Sequence, residues 1–199
     1  MRNIFKLLII SLFFSPLLLA SEMLIDQKAP DLTVKGHDGK EYQLSKLRGS
    51  MVILEWYNRD CPFVRKFYDV GEMQKLQQKY GEHATWFKVV SSAPGKQGHM
   101  NPAKTKENVE KEKAQVQAVL IDEDGKMGQA FGARTTPQMV IIDSEGIVRY
   151  NGAIDSIPST NADDIAKARN YLAQAMDELI AGKEVSVKRS RPYGCSVKY

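Results

Sequence analysis

Met51-Val52-Ile53-Leu54-Glu55-Trp56-Tyr57-Asn58-Arg59-Asp60-Cys61-Pro62-Phe63-Val64 is the stretch on which the reading of this chain turns. Its first seven residues are a nearly continuous apolar run, the pattern of a strand buried on both faces. Pro62 sits where the first turn of a helix tolerates proline, because the N–H it lacks would be unpaired there anyway. Val64, Phe67, Tyr68, Met73, Leu76 and Tyr80 follow at helical spacing, and Gly71 kinks or divides that helix. Cys61 therefore falls on a strand-to-helix junction, near the unpaired N–H groups of a helix start. The positive end of the helix dipole favours thiolate, the reactive form of cysteine. Where a C-x-x-C motif would carry its second cysteine, this chain has Val64.

Outward from that junction the pattern alternates strands and helices. Residues 33–34 and 41–44 flank an Asp-Gly turn and read as a hairpin. Residues 85–91 read as a strand, 92–102 as a loop rich in glycine and proline, and 103–115 as a polar helix. A strand at 116–121, a turn at 122–125 and a short helix at 126–131 follow. Residues 138–143 and 146–150 read as a hairpin around Ser144-Glu145. Ile165, Ala168, Leu172, Ala175, Met176, Leu179 and Ile180 trace one apolar stripe of a long helix, capped by Thr160 or Asn161 and ended by Gly182. The pattern predicts an α/β domain whose central sheet is covered on both faces, with Cys61 at a strand end where sites of such sheets fall.

Composition fits one globular domain: 199 residues, 43% hydrophobic and 26% charged. Residues 1–20 read as a separate leader. Arg2 and Lys6 precede an apolar stretch, and Leu18-Leu19-Ala20 precedes a cleavage point at Ser21. The stretch is short for a membrane span and is interrupted by Ser11, Ser15 and Pro16. The expected organisation is a signal peptide at 1–20, a domain at 21–182 and a basic tail at 183–199. Cleavage takes two positive charges off a formal net charge of +4, which leaves no case for nucleic acid or an acidic membrane as a partner. Lys104, Lys106, Lys111 and Lys113 alternate with Glu107, Glu110 and Glu112, as on a solvated helix face. Export implies an oxidising compartment, periplasmic or external. Only Cys61 and Cys195 are present, so neither a disulfide scaffold nor a cysteine-rich metal site is expected. His37, His83 and His99 lack partners at ligand spacing, and no cofactor is implied.

Cys61 has two readings, a reactive thiol or a buried structural cysteine. Arg59, Arg65 and Lys66 would lower its pKa, and Asp60 would raise it. The second signal is Ala133-Arg134-Thr135-Thr136-Pro137-Gln138-Met139. A proline at the start of a buried strand cannot donate to the ladder; an ordinary trans proline at the strand start is one reading, and a cis Thr136–Pro137 bond in a tight turn, expected here beside Cys61, is the other. The third is Pro192-Tyr193-Gly194-Cys195-Ser196, a glycine-flanked cysteine in a tail that the sequence leaves free to move.

With these segments in view the chain resembles the thioredoxin superfamily, and within it the AhpC/TSA peroxiredoxin-like redoxins. The resemblance runs from about Ala29 to Leu179 and is carried by Ala29-Pro30-Asp31-Leu32, Asp38-Gly39-Lys40, Leu54 to Asn58 with Cys61-Pro62, Gly132-Ala133, Thr136-Pro137 and Ile141 to Gly146. It implies a thioredoxin-like fold with a central mixed sheet, an N-terminal hairpin and a C-terminal tail. It also implies Cys61 as nucleophile, supported by Asn58, Pro62, Arg134, Thr136 and Pro137. Two departures stand out. Peroxiredoxins place a threonine or serine where this chain has Asn58, and an arginine where it has Pro137.

The function expected is an exported thiol-dependent oxidoreductase acting through Cys61 on a disulfide or a peroxide, in antioxidant or redox homeostasis. Cys195, or a thiol reductant or redox protein as partner, would close the cycle. The other reading is a non-catalytic redoxin-fold protein with a structural Cys61–Cys195 disulfide.

Overall fold

The computed structural model describes residues 24–199, so the leader expected at 1–20 lies outside the described residues. The strands are β1 (Thr33–Lys35), β2 (Glu41–Gln43), β3 (Met51–Trp56), β4 (Ala84–Val90), β5 (Ala118–Ile121), β6 (Thr135–Thr136), β7 (Gln138–Ile142), β8 (Val148–Gly152) and β9 (Cys195–Ser196). The helices are α1 (Pro62–Tyr68), α2 (Glu72–Tyr80), α3 (Pro102–Lys111), α4 (Lys126–Ala130) and α5 (Tyr171–Ile180). The central sheet has the order β5-β4-β3-β7-β8. β3, β4 and β5 run parallel, while β7 is antiparallel to both β3 and β8.

β3 lies in the middle of this sheet, which is why its sequence is apolar throughout. Its side chains alternate between two cores. Ile53 packs with Phe67, Met73, Tyr80, Leu172 and Met176, under α1, α2 and α5. Val52, Leu54 and Trp56 pack on the opposite face with Phe87, Leu120, Met127 and Phe131, under α4 and the N-terminal segment. The β1–β2 hairpin forms as expected, and its Tyr42 ring meets Phe87 edge-on at 5.0 Å.

The helix expected to kink or divide at Gly71 is two helices, with Gly71 at φ 76 between them. Two boundaries differ from the sequence reading. α3 stops at Lys111, and Lys113 turns to φ 52, so residues 112–115 leave the helix early. The long helix expected from Ile165 onward is also two pieces. Ala162–Lys167 is a 3-10 turn capped by Asn161, and α5 begins afresh after Asn170. The break comes from tertiary pairing: Asp155 and Asn170 form a β-bridge, and the Ser156 amide donates to the Arg169 carbonyl at 3.0 Å. A helical backbone at 168–170 could not make those bonds.

The tail differs most. The sequence leaves it loose, yet β9 pairs antiparallel with β6, in register Thr135 to Ser196 and Thr136 to Cys195. Upstream, Ser190 Oγ accepts from the Ala153 amide at 2.8 Å.

The cap of α5 is testable. Asn170 Oδ1 accepts the Ala173 amide at 2.8 Å. Asn170→Ala should lower the unfolding free energy by about 1 kcal/mol in denaturant melts, with the m-value unchanged.

A candidate active site around Cys61

Cys61 is the N-cap residue of α1, with extended backbone at φ −80 and ψ 120. Its carbonyl accepts the Val64 and Arg65 amides, each at 3.0 Å. Pro62 occupies the first helical position, where no amide is needed. Asn58 shapes the turn before it. Its side chain accepts the Asp60 amide at 2.9 Å, and its carbonyl accepts the Cys61 amide at 3.1 Å. Gly98 sits on Asn58 at φ 85, where a Cβ would come within 2.7 Å of the Asn58 amide group. The glycine-rich loop after β4 thus borders the site through Asn58.

The Thr136–Pro137 bond is cis. Its carbonyl faces the cysteine, and the Cys61 thiol donates to Thr136 O at 3.0 Å. The residue paired with Thr136 across the β6–β9 ladder is Cys195. Both thiols are free, Cys61 with no exposed surface and Cys195 partly exposed. Gly194 lies against the same peptide, where any Cβ would collide with the Thr136 carbonyl. Asn58, Cys61, Pro62, Thr136, Pro137 and Cys195 are therefore brought together. Arg134 stands apart: its side chain is exposed, and it contributes its backbone, whose carbonyl accepts the Val197 amide at 3.0 Å.

The charges flanking Cys61 in sequence do not act on it as expected. Arg59 pairs with Asp60 at 3.9 Å, and Arg65 with Asp69 at 3.5 Å. Lys66 turns inward and pairs with buried Asp155 at 3.3 Å. What tunes Cys61 is burial and hydrogen bonding. Burial pushes the thiol up, but hydrogen bonds from the Cys195 side chain, the Thr136 side chain and the Cys195 and Val64 amides outweigh it. The net direction is down, towards thiolate. Cys195 moves the opposite way, to about 12, through burial, its hydrogen bond to Cys61 and repulsion from the Cys61 charge. The pair is split into one acidic and one basic thiol.

A second polar cluster went unseen in the sequence. Glu55 and Lys88, each the charged residue inside an otherwise apolar strand, have no exposed surface. Glu55 accepts from Tyr68 Oη at 2.9 Å and from Trp86 Nε1 at 3.0 Å. Lys88 Nζ reaches Glu112 at 2.6 Å and lies 4.1 and 4.0 Å from the ring centres of Tyr57 and Tyr68. A charge in the middle of a buried-strand pattern was the available signal, because such a charge must find partners. Among the described residues no group of three His, Cys, Asp or Glu side chains is arranged to hold a metal ion.

Burial raises the Glu55 carboxyl from 4.5 to about 7, against the pull of Lys88 and the Tyr68 and Trp86 hydrogen bonds. A raised carboxyl binds its proton more tightly in the folded state. Its contribution to stability is present at low pH and lost as pH rises from 4.5 to about 7. Wild-type unfolding free energy should fall relative to Glu55→Gln across that window, by on the order of 3 kcal/mol. Paired denaturant melts from pH 4 to 8 measure the difference, and parallel curves would refute it.

The comparisons with known proteins agree with this architecture. The model of the AhpC/TSA family matches residues 25–151. No curated protein sequence matches the chain. Among solved structures, an uncharacterized conserved protein from Geobacillus kaustophilus is 22% identical with a TM-score of 0.73, covering 89% of this chain and 93% of that one. A hypothetical protein from Sinorhizobium meliloti 1021 is 18% identical with a TM-score of 0.74, covering 89% and 96%. The pneumococcal exposed lipoprotein thioredoxin from Streptococcus pneumoniae is 25% identical with a TM-score of 0.50, covering 69% and 96%. With its five-stranded mixed sheet, cis-proline turn and strand-end cysteine, the chain belongs to the AhpC/TSA family and has a thioredoxin-like fold.

Proposed function

We propose that this chain is a thiol–disulfide oxidoreductase in which Cys61 is the attacking sulfur and Cys195 completes the cycle from within the same chain. The observation that carries the reading is the seat of Cys195. It is paired across a two-residue ladder with Thr136, whose carbonyl receives the Cys61 thiol. Val64 leaves no second cysteine in the helix, and the tail supplies one from the other side.

The split acidity sets the order of steps. The Cys61 thiolate attacks one sulfur of a substrate disulfide, forms a mixed disulfide and expels the other sulfur as thiolate. Cys61 then carries no charge, so its hydrogen bond and its repulsion no longer hold up the Cys195 proton, and burial alone remains to do so. Cys195 passes its proton to the substrate thiolate expelled first, attacks the Cys61 sulfur and expels the second substrate thiolate. The substrate gains two electrons, and the protein is left with a Cys61–Cys195 disulfide. An external dithiol or a redox protein restores both thiols. A peroxide as substrate has less support, because each cation next to Cys61 in sequence is paired with its own acid.

We also propose an exported mature chain that begins at Ser21, in the periplasm or outside the cell. The basic, apolar, small-residue order of the first twenty residues supports it. The pneumococcal thioredoxin of similar fold is by its name an exposed lipoprotein, which agrees with this reading. Among the described residues no helix is long and apolar enough to cross a membrane.

Two measurements test the chemistry. The ultraviolet absorbance of thiolate should titrate with a midpoint below the roughly 8.5 of a free cysteine, and Cys61→Ser should remove that transition. Cys61→Ser should also abolish turnover with a disulfide substrate, while Cys195→Ser should halt at a trapped Cys61 mixed disulfide. Peptide mapping of oxidised wild type should find Cys61–Cys195 within one chain. A resting disulfide that strong reductant cannot open under native conditions would instead mark the bond as purely structural.

A further inference from the structure

We propose that the segment from Ser190 to Tyr199 is a strap that gates Cys61, and that Tyr199 seated on Gly128 is the clasp that sets how often it opens. The proposal rests on Cys61 being the attacking sulfur and goes on to ask how a disulfide on another protein reaches it.

With the strap seated, no such disulfide can. Cys61 is 0% exposed. The space in front of its sulfur holds Cys195, and Gly194 is pressed on the Thr136 carbonyl too closely for any Cβ. An attacked sulfur must lie in line with Cys61 Sγ, so the strap must leave before a folded partner can present one.

The strap is held by a ladder of two residue pairs and by a fastening at each side of it. Upstream, the Tyr193 hydroxyl donates to Asp155, whose other oxygen holds buried Lys66, and the Tyr193 ring meets Phe63 edge-on at 5.8 Å. This fastening ends on a buried ion pair anchored in α1. Downstream, the Val197 amide donates to Arg134, the Ala93 amide donates to the Lys198 carbonyl at 2.8 Å, and Tyr199 Oη donates to the Ala133 carbonyl at 2.7 Å. The Tyr199 ring lies over Gly125 and Gly128; a Cβ on Gly128 would stand 2.7 Å from Tyr199 Cε1. Tyr199 is nonetheless 43% exposed, so the downstream side is the weaker and opens first. Gly128 is itself fixed from behind, its amide donating to buried Asp122 at 2.8 Å. An alanine at 128 would press on the Tyr199 ring and also on buried Ser91 Oγ at 2.9 Å, so Tyr199→Ala and Tyr199→Phe are the cleaner probes of the clasp.

The test uses the full chain with Cys195→Ser, so that Cys61 is the sole thiol, and dipyridyl disulfide as the probe. The Cys61 thiolate takes one half of the probe and releases the other as a coloured thione. Tyr199→Ala and Gly128→Ala should each raise the rate at Cys61 on the order of tenfold, since one hydrogen bond and part of a buried ring are lost from the closed state alone. Tyr199→Phe, which loses only the hydroxyl, should fall between. Equal and measurable rates in all of these chains would overturn the gate and leave Cys61 as the nucleophile. A Cys61 that stays inert even in the loosened chains would overturn the catalytic reading itself. Hydrogen exchange on the unaltered protein covers the case in which a variant fails to fold. The Val197 amide should exchange at least tenfold faster than the Leu54 amide of the central sheet. Equal protection would mean that the strap opens only on global unfolding, and would end the proposal.

Discussion

The carbonyl of Thr136 is where this molecule converges. It belongs to the cis peptide before Pro137, it receives the Cys61 thiol at 3.0 Å, and Gly194 is packed on it. Three segments separated widely in sequence are placed by one backbone oxygen. A carbonyl accepts but cannot donate, so it holds Cys61 in the thiol form. The Val64 and Cys195 amides and the Thr136 side chain favour the thiolate. The same small volume therefore contains partners for both protonation states of the sulfur.

Around that point, charge is placed with unusual economy of exposure. Lys66 and Asp155 are buried together, and buried Lys88 pairs with Glu112 at the edge, near buried Glu55. Such pairs are poor sources of net stability, because desolvation offsets most of the attraction, but removing one partner leaves a buried charge and costs roughly 3–5 kcal/mol. They act here as positional constraints. Asp155 ties the tail to α1 through Tyr193 and Lys66. Glu55 and Lys88 tie β3 to β4 and, through Glu112, to the end of α3. The helix carrying Cys61 thus lies between two polar anchors, which defines its position more sharply than apolar packing would.

The tail changes what the missing second cysteine means. Val64 fills the helix position where a dithiol motif would place it and is fully buried in the core. The alternative thiol arrives from the edge of β6, on a strand of the same chain. A thiol held by a strand that pairs over only two residues can be withdrawn, whereas one on a helix cannot. Under the proposed chemistry, resolution of the nucleophile and protection of it would lie in one segment.

The sequence by itself determined the central sheet, the Cys61 junction and a turn at Pro137, because each follows from a local rule; the cis bond is expected only from Pro137 taken together with Cys61. Buried strands are apolar, proline is tolerated in a helix's first turn, and a proline at a buried strand start calls for a turn. Tertiary structure decided what depends on partners distant in sequence. The stripe from Ile165 to Ile180 is compatible with one helix, and only the Asp155–Asn170 bridge breaks it. The charges of Arg59, Arg65 and Lys66 are adjacent to Cys61 in the chain, yet each is claimed by an acid, one of them 89 residues away. The tail carries few apolar residues and no periodicity, so nothing local announces that it is ordered. Its order comes from a glycine that fits against the Thr136 peptide and from tyrosines whose acceptors, Asp155 and the Ala133 carbonyl, exist only once the sheet has formed.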